Sequence, residues 1–500
     1  MTKSKLFLPI LLFVLAVLGF FIYRLIDLNK IPVFVDEAIY VRWSQVMRAE
    51  STLRFLPLSD GKQPLFMWAT IPFLKVISDP LIAGRLVSVV AGLGSLVAIT
   101  FLSWIIFESI TISALAALIY AVLPFSVFFD RMALADSLLC MFGLWSLYFS
   151  ILFAKTKRLD HAMLLGFVIG GGLITKSPAM IYYLWTLLAV VFYGKVNLFD
   201  KNKVKSLVVG FVAIIIISQG IYSILRLGPG FGMIASRNLD YVFSWTEVIR
   251  HPFNPLIGNL KSTANWLWLL LTPTILFNAF LVFADKKKFR QSIFIFLVCL
   301  APLVAQAAIA KVYTSRYIMY SSIPLIVLSA AGINWLLTRK GTVIKFFAIL
   351  SLLFPIYISA VYVLTPEKAP MSFDMRNGYL EEWTSGWGNK QIASYLIDLE
   401  SKGDKVVVFT EGFFGTMPDG IQIYTEGHKN ISVVGSPPEV TRLPDGLTSS
   451  AKTNKNFLIV NKSRNHLSST DLAKLILIEE FPKAVRLDGS RESLQFYALK

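Results

Sequence analysis

Long uncharged apolar runs recur along the first three quarters of the chain, separated by short polar loops. Residues 6–23 form the first run, whose 18 uncharged residues come close to the roughly 20 that a helix needs to cross a bilayer. Ten similar runs follow, at about 82–106, 110–128, 136–154, 162–177, 179–195, 205–225, 264–284, 291–310, 317–337 and 343–364. This pattern predicts a mainly α-helical, polytopic membrane protein with about eleven transmembrane helices. Only 16% of the residues are charged, against about 25% in soluble domains.

The charge distribution predicts how these helices are oriented. Much of the net charge of +17 lies in short loops between apolar runs, at 155–158, 195–205, 285–290 and 338–340. Because cytoplasmic loops carry the Lys and Arg excess, we expect these loops and the N-terminus in the cytoplasm. An odd number of spans then places the C-terminus outside. No basic cluster is interleaved with surface aromatics, so we expect no nucleic-acid partner.

Beyond about residue 365 the pattern changes to short apolar stretches with polar residues between them. We predict helices at 389–402 and 470–478, and strands at 405–410, 421–425, 431–434, 457–461 and 494–498. The chain thus divides into a transmembrane domain at 1–365 and a small extracytoplasmic α/β domain at 366–500. The first outer loop, 29–81, is predicted to hold two short juxtamembrane helices within the transmembrane domain.

Ionisable residues collect at one predicted face of the membrane. Asp36 and Glu37 follow the first apolar run, and Lys62 lies later in the same loop. Other charged residues at outer span ends are Arg85, Asp130, Arg131, Asp136, Lys176 and Arg316. Because charge near membrane depth is costly, such a group of both signs indicates a polar reaction or transport site.

The residue types in this group limit the chemistry. A carboxylate can accept a proton from a hydroxyl nucleophile, and cations can neutralise a departing phosphate. The two cysteines, Cys140 and Cys299, lie in apolar runs, and the chain has four histidines and no nucleotide-binding glycine loop. The pattern therefore favours a transferase with a lipid-phosphate donor, for which we expect no cofactor. Two carboxylates could hold a divalent cation, but we assign no metal.

Several short motifs resemble those of the GT-C membrane glycosyltransferases, in the branch with protein O-mannosyltransferases and the lipid A aminoarabinose transferase. The resemblance covers about 1–365 and rests on the order of these motifs: Asp36-Glu37-Ala38, Lys62-Gln63-Pro64-Leu65, Gly84-Arg85-Leu86, Arg131 to Asp136, Thr175-Lys176-Ser177-Pro178 and Arg316-Tyr317. It implies transfer of a sugar from a polyprenyl-phosphate donor to a protein, lipid or glycan acceptor outside the cytoplasm, with inversion at the sugar carbon.

The resemblance also implies roles for the individual residues. Asp36 would be the base and Glu37 would support or orient it, while the donor phosphate would be bound by Lys62, Lys176 and Arg316. Arg85, Arg131 and Asp136 would support the site; Arg131 and Asp136 are five residues apart, so we expect them to have separate partners. Gln63 stands where the family more often has proline.

Two other functions remain open on the sequence. A secondary transporter also places ionisable residues among its helices, but commonly has repeated halves, and no repeat is evident here. A non-catalytic protein that binds lipid-linked sugar would carry the same charges without turnover. The sugar, the acceptor and the oligomeric state are not encoded in any recognisable motif.

Overall fold

The computed structural model describes residues 3–195, 199–450 and 453–500, with side chains from residue 6 onward in the first helix. The predicted basic loop at 195–205 therefore includes residues 196–198, which lie outside the described residues. The chain forms two compact units. The first contains residues 1–27, 54–66 and 86–370, and the second contains residues 28–53, 67–85 and 371–500.

Helices make up the first unit, and one of them, Pro80–Phe107, begins in the second unit. Six helices are long and apolar enough to cross a membrane: Leu6–Leu25, Pro80–Phe107, Ala135–Thr156, Lys201–Leu227, Phe289–Ile309 and Thr342–Leu364. Two further pairs of helices are each bent at a short break: Leu256–Leu270 with Pro273–Ala284, by 100°, and Ser315–Ser322 with Leu325–Leu337, by 54°. If each bent pair is one span, the number of candidate spans rises to eight. The expected polytopic, mainly α-helical membrane fold is confirmed.

The predicted number of eleven spans stays a prediction. Three further apolar helices, Ile110–Val122, Leu159–Leu173 and Ser177–Tyr193, coincide with predicted runs but are shorter than 18 residues. The remaining α-helices of the unit are short: Pro124–Phe129, Met233–Tyr241 and Trp245–Arg250.

Glycine allows two of these helices to approach closely. Leu159–Leu173 packs against Lys201–Ser223, and a Cβ on Gly170 would lie 2.6 Å from the Ile221 side chain. Small residues are used in this way between membrane helices, where packing replaces the hydrophobic effect as the driving force.

The second unit contains a five-stranded sheet and a two-stranded ribbon. Its strands are β1 (Val33–Phe34), β2 (Ser385–Gly386), β3 (Val406–Glu411), β4 (Ile431–Ser436), β5 (Lys455–Asn461), β6 (Leu475–Val485) and β7 (Arg491–Leu499). Its α-helices are Val35–Ala49, Leu65–Val76, Phe373–Arg376, Asn389–Ser401, Asp419–Thr425, Asp445–Ser449 and Ser469–Leu472; the Leu65–Val76 helix begins in the first unit and ends in the second.

The large sheet has the order β4-β3-β5-β7-β6, parallel from β4 to β5 and antiparallel from β5 to β6. Two predicted elements are wrong. The stretch at 421–425 lies in the helix Asp419–Thr425, whose Ile421 packs in the core with Ile392 and Leu396. The predicted helix at 470–478 ends at Leu472, and the chain continues as β6 because β7 provides a pairing partner.

Part of the first predicted outer loop folds with the C-terminal residues. β1 pairs antiparallel with β2, so that Val33 lies opposite Gly386 and Phe34 opposite Ser385. The boundary at residue 370 lies close to the predicted one at 365. The loop at 29–81 is predicted as part of the transmembrane domain, whereas its residues 29–53 and 67–81 belong to the second unit. The pairing of β1 with β2 explains this difference, because it ties the loop to a segment some 350 residues later.

Candidate active site

The helix Val35–Ala49 carries the two adjacent carboxylates. It begins directly after β1, where the Val35 amide donates a hydrogen bond to the Thr384 carbonyl oxygen at 3.0 Å. Glu37 reaches back and accepts a hydrogen bond from the Phe34 amide at 3.0 Å. Acidic side chains in a first turn satisfy free amides and complement the helix dipole. The long-range bond of Val35 and the local bond of Glu37 together define where this helix begins, and with it the position of Asp36.

Glu37 is held by Arg85 in a buried bidentate ion pair. The Arg85 Nε lies 2.8 Å from Glu37 Oε1, and Nη2 lies 2.7 Å from Oε2. Arg85 also donates to the carbonyl oxygens of Leu28, Ile31 and Pro32. We call Glu37, Arg85 and these carbonyl groups the Arg85 cluster. Since both Glu37 oxygens accept from a cation, this carboxylate is suited to hold the helix start rather than to take a proton.

Asp36 differs from its neighbour in exposure. Its side chain is half-buried, whereas Glu37 is fully buried. Successive helix residues point about 100° apart, so the two carboxylates cannot share one environment. Asp36 is therefore the carboxylate of the pair that a substrate in solvent can reach.

A second group of charged residues lies in the first unit. Lys176 Nζ is 2.7 Å from Asp136 Oδ1, and it lies 4.2 Å from the centre of the Tyr317 ring. The Arg316 guanidinium lies 5.3 Å from the same ring centre. We call Asp136, Lys176, Arg316 and Tyr317 the Lys176 cluster. Two cations from separate connections thus meet at one aromatic ring, an arrangement that cation–π attraction favours.

The turn that carries Lys62 is attached to the turn that carries Lys176. Gln63 Nε2 donates to Ser177 Oγ at 2.8 Å, and the Leu65 amide donates to the Ile174 carbonyl oxygen at 3.2 Å. Lys62 itself pairs with Asp60 at 3.2 Å. Hydrogen bonds on both sides of Lys176 therefore hold the Lys62 turn beside the Lys176 cluster. Gln63 uses its side-chain donor for this, which a proline could not do.

Two other charged residues support the backbone. Arg24 and Asp130 form a buried ion pair at 2.9 Å. Arg131 donates to the carbonyl oxygens of Tyr23, in the last turn of the first helix, and of Ile26 and Asp27, which follow that helix. Arg131 and Asp136 thus have separate partners. The sequence did not single out Arg24, although its position at the end of the first apolar run was a signal.

The structure gathers the predicted residues into two groups. Asp36, Glu37 and Arg85 belong to the second unit, while Lys62, Asp136, Lys176 and Arg316 belong to the first. The predicted site residues do not include Gln63, Ser177 and Tyr317. All three lie inside the short motifs on which the family resemblance rests. Within the described residues, no group of three or more His, Cys, Asp or Glu side chains could hold a metal ion.

Comparison with known proteins identifies the fold. Residues 61–222 match the family model described as dolichyl-phosphate-mannose-protein mannosyltransferase. ArnT from Cupriavidus metallidurans superposes with a TM-score of 0.56 at 13% identity, over 99% of this chain and 98% of that chain. The archaeal oligosaccharyltransferase AglB from Archaeoglobus fulgidus superposes with a TM-score of 0.53 at 12% identity, over 92% of this chain and 70% of that chain. No curated protein matches the chain by sequence.

The fold is that of the GT-C membrane glycosyltransferases, and the predicted resemblance is confirmed. Five of the predicted site residues lie within the segment that matches the family model: Lys62, Arg85, Arg131, Asp136 and Lys176. Both structural neighbours have been solved with a lipid phosphate, undecaprenyl phosphate for ArnT and a dolichol-phosphate for AglB.

Proposed function

We propose that this GT-C-fold chain is an inverting glycosyltransferase that moves a sugar from a polyprenyl-phosphate donor to an acceptor hydroxyl. The observation that carries this proposal is the meeting of Lys176 and Arg316 at the Tyr317 ring, beside the Lys62 turn. ArnT, which has a similar fold, was solved with undecaprenyl phosphate. The cations of the Lys176 cluster suit a lipid phosphate in this chain as well.

Three cations would bind the donor phosphate. Lys176 makes one bond to Asp136, which leaves further ammonium donors for phosphate oxygens. Arg316 can bind two phosphate oxygens in its planar fork, and Lys62 would approach from the attached turn. Asp136 acts as a positioning residue, because its short contact fixes the Lys176 side chain. As the sugar leaves, these cations would neutralise the charge on the phosphate.

Asp36 would be the general base. Its carboxylate takes the proton of the acceptor hydroxyl, and the hydroxyl oxygen then forms a bond to the anomeric carbon. The bond from that carbon to the phosphate oxygen breaks on the opposite face, which inverts the sugar and releases polyprenyl phosphate. Glu37, held by Arg85, keeps the helix start in place.

The charge pattern supports a reaction outside the cytoplasm. Asp136 and Lys155 lie at opposite ends of the helix Ala135–Thr156. The Lys155 end carries the basic loop at 155–158, which the positive-inside rule assigns to the cytoplasm. The Lys176 cluster then faces outward, as would the C-terminal domain, and the acceptor would be an extracytoplasmic protein, lipid or glycan.

Asp36→Asn in the purified, full-length protein tests the assignment of the base. With a radiolabelled polyprenyl-phosphate sugar and an envelope extract as acceptor, we expect transfer to fall about 10²–10⁴-fold, the usual loss for a general base. Asp398→Asn is the matched control, since Asp398 is 57% exposed and pairs only with the exposed Lys402 among the described residues. Full transfer by Asp36→Asn would exclude the assigned role.

Two wild-type outcomes would exclude the proposed activity itself. Donor binding without turnover on any acceptor fraction would indicate a non-catalytic lipid-sugar-binding protein. Accumulation of free sugar inside proteoliposomes without a glycosylated product would indicate a transporter.

A further inference from the structure

A basic pocket lies at the other end of the helices that carry the Lys176 cluster. It is a cavity of about 470 Å³, and four cations line it: Lys155, Lys157, Lys195 and Arg290. Asp136 and Lys155 are both on the helix Ala135–Thr156, which separates them by about 28 Å at 1.5 Å per residue. That is close to the thickness of a bilayer core, so the pocket and the Lys176 cluster lie at opposite membrane faces.

The cations of this pocket come from three separate connections. Lys155 and Lys157 end one helix, Lys195 follows the helix Ile181–Tyr193, and Arg290 lies in the first turn of Phe289–Ile309. Positive loops that only orient helices have no need to converge on one cavity. The convergence therefore requires another explanation, and an anionic ligand supplies one.

Negative charge in the pocket is small. Glu108 is the carboxylate among the lining residues; it lies 4.0 Å from Lys155 Nζ and its side chain is 82% exposed. An ion pair of this length at such exposure contributes little. The four cations are thus mostly uncompensated by acidic side chains of the pocket.

Other features of the pocket suit an anion at a membrane surface. Lys155 Nζ donates to the Ile105 carbonyl oxygen at 2.7 Å and lies 5.5 Å from the centre of the Tyr193 ring, so its position is defined. Arg290 is fixed by a bond to the Phe192 carbonyl oxygen. The helix Phe289–Ile309 has no acidic residue in its first turn, so no carboxylate there offsets the positive end of its dipole.

We propose that this basic pocket binds the phosphate headgroup of an anionic membrane lipid at the face opposite the donor site. Phosphate matches the cations by charge, and the apolar helix surfaces beside the pocket can hold acyl chains. Basic pockets between transmembrane helices on the cytoplasmic side bind such headgroups in other membrane proteins. Inorganic phosphate has the same chemistry, and the test separates the two sources.

The test measures binding to the full-length protein in neutral detergent. Dioleoyl-phosphatidylglycerol is titrated, and thermal unfolding reports the bound fraction; dioleoyl-phosphatidylcholine and inorganic phosphate are titrated in parallel. The double variant Lys195→Gln/Arg290→Gln removes two exposed cations from the pocket. We expect its apparent Kd for phosphatidylglycerol to rise at least about tenfold, since each surface cation contributes about 1 kcal/mol toward an anionic lipid.

The control Lys286→Gln/Lys287→Gln removes the same charge from exposed positions of the adjacent loop that do not line the pocket. A rise in Kd confined to the pocket variant supports the proposal. An equal rise in both variants, or stabilisation by phosphatidylcholine as strong as by phosphatidylglycerol, overturns it. Stabilisation by inorganic phosphate at the same concentration overturns the lipid as the source. Because no transfer is measured, the result is independent of the proposed glycosyltransferase activity.

Discussion

Two ion pairs in this protein have similar lengths but differ in how much water reaches them. The Glu37 and Arg85 side chains are 0% and 1% exposed, and Arg85 uses its donors on Glu37 and three carbonyl groups. In the pair of Lys176 with Asp136, the lysine is 23% exposed and makes one short contact. The first pair holds the backbone, whereas the second keeps donors available for a ligand. A short distance between charges therefore does not by itself identify a binding site.

The largest expected effect comes from breaking the buried pair. Glu37→Gln leaves the Arg85 guanidinium buried beside a neutral side chain, and we expect the free energy of unfolding to fall by about 3–5 kcal/mol. Thermal unfolding of the protein in detergent measures this loss. The control Glu439→Gln removes a carboxylate that is 59% exposed, and it should unfold like the wild type. A Glu37→Gln protein as stable as the wild type would remove the contrast between the two pairs.

The pair of Lys176 with Asp136, which water reaches at its lysine end, should respond differently. Lys176→Gln leaves the Asp136 carboxylate without its cation, so it should lower stability, but by less than Glu37→Gln because water reaches the lysine end of the pair. It should raise the KM for the lipid-phosphate donor about 10–100-fold, because a hydrogen bond to a charged group contributes about 1.5–3 kcal/mol. Lys176→Arg keeps the charge and should recover part of the affinity. A variant that loses stability while KM is unchanged would assign Lys176 the same structural role as Arg85.

A smaller effect is expected at the link between the two turns. Gln63→Ala and Ser177→Ala each remove the 2.8 Å hydrogen bond that joins the Lys62 turn to the Lys176 turn. Each should raise the donor KM about 2- to 10-fold, and the double variant should lose no more than one single variant, because both act through one bond. Fully additive losses would show that the two side chains act separately.

A pH-dependent effect is expected from a buried cation of the second unit. Burial lowers the pKa of Lys483 to about 7, although Glu492, Glu411 and Glu382 favour its charged form. The unfolded chain keeps a lysine pKa near 10.4, so between about pH 7 and 10 it binds more protons than the folded chain. The contribution of Lys483 to the free energy of unfolding should therefore rise with pH between about pH 7 and 10. Lys483→Met should reduce the rise between pH 7 and 9, whereas Lys402→Met, at an exposed position, should not.

Local sequence was enough for many elements of the fold. The helix Asn389–Ser401 and the strands β3, β5 and β7 lie within two or three residues of their predicted bounds. For Ile421 to Thr425 and for Leu475 to Ile478 the sequence predicts the wrong element, because short apolar runs fit both the helical and the strand period. Pairing with β7 decided the second of these, and packing in the core decided the first.

The sequence predicts which charged residues belong to the candidate site, but it does not predict which of them form ion pairs with each other. Asp36, Lys62, Lys176 and Arg316 stand out in the sequence because charges beside apolar runs are rare. Nothing in the sequence separates Glu37 from Asp36; only the tertiary structure buries Glu37 against Arg85 and leaves Asp36 half-buried. The roles proposed for these residues stay predictions until the variants are measured.

The sequence by itself determined the membrane class, the apolar runs and the charged motifs, because hydropathy and helix formation depend on residues close together in the chain. Tertiary structure alone decided which charges meet. Glu37 and Arg85 are 48 residues apart, Asp136 and Lys176 are 40 apart, and Arg24 and Asp130 are 106 apart. No local pattern encodes contacts over such separations, since they form only when the helices pack.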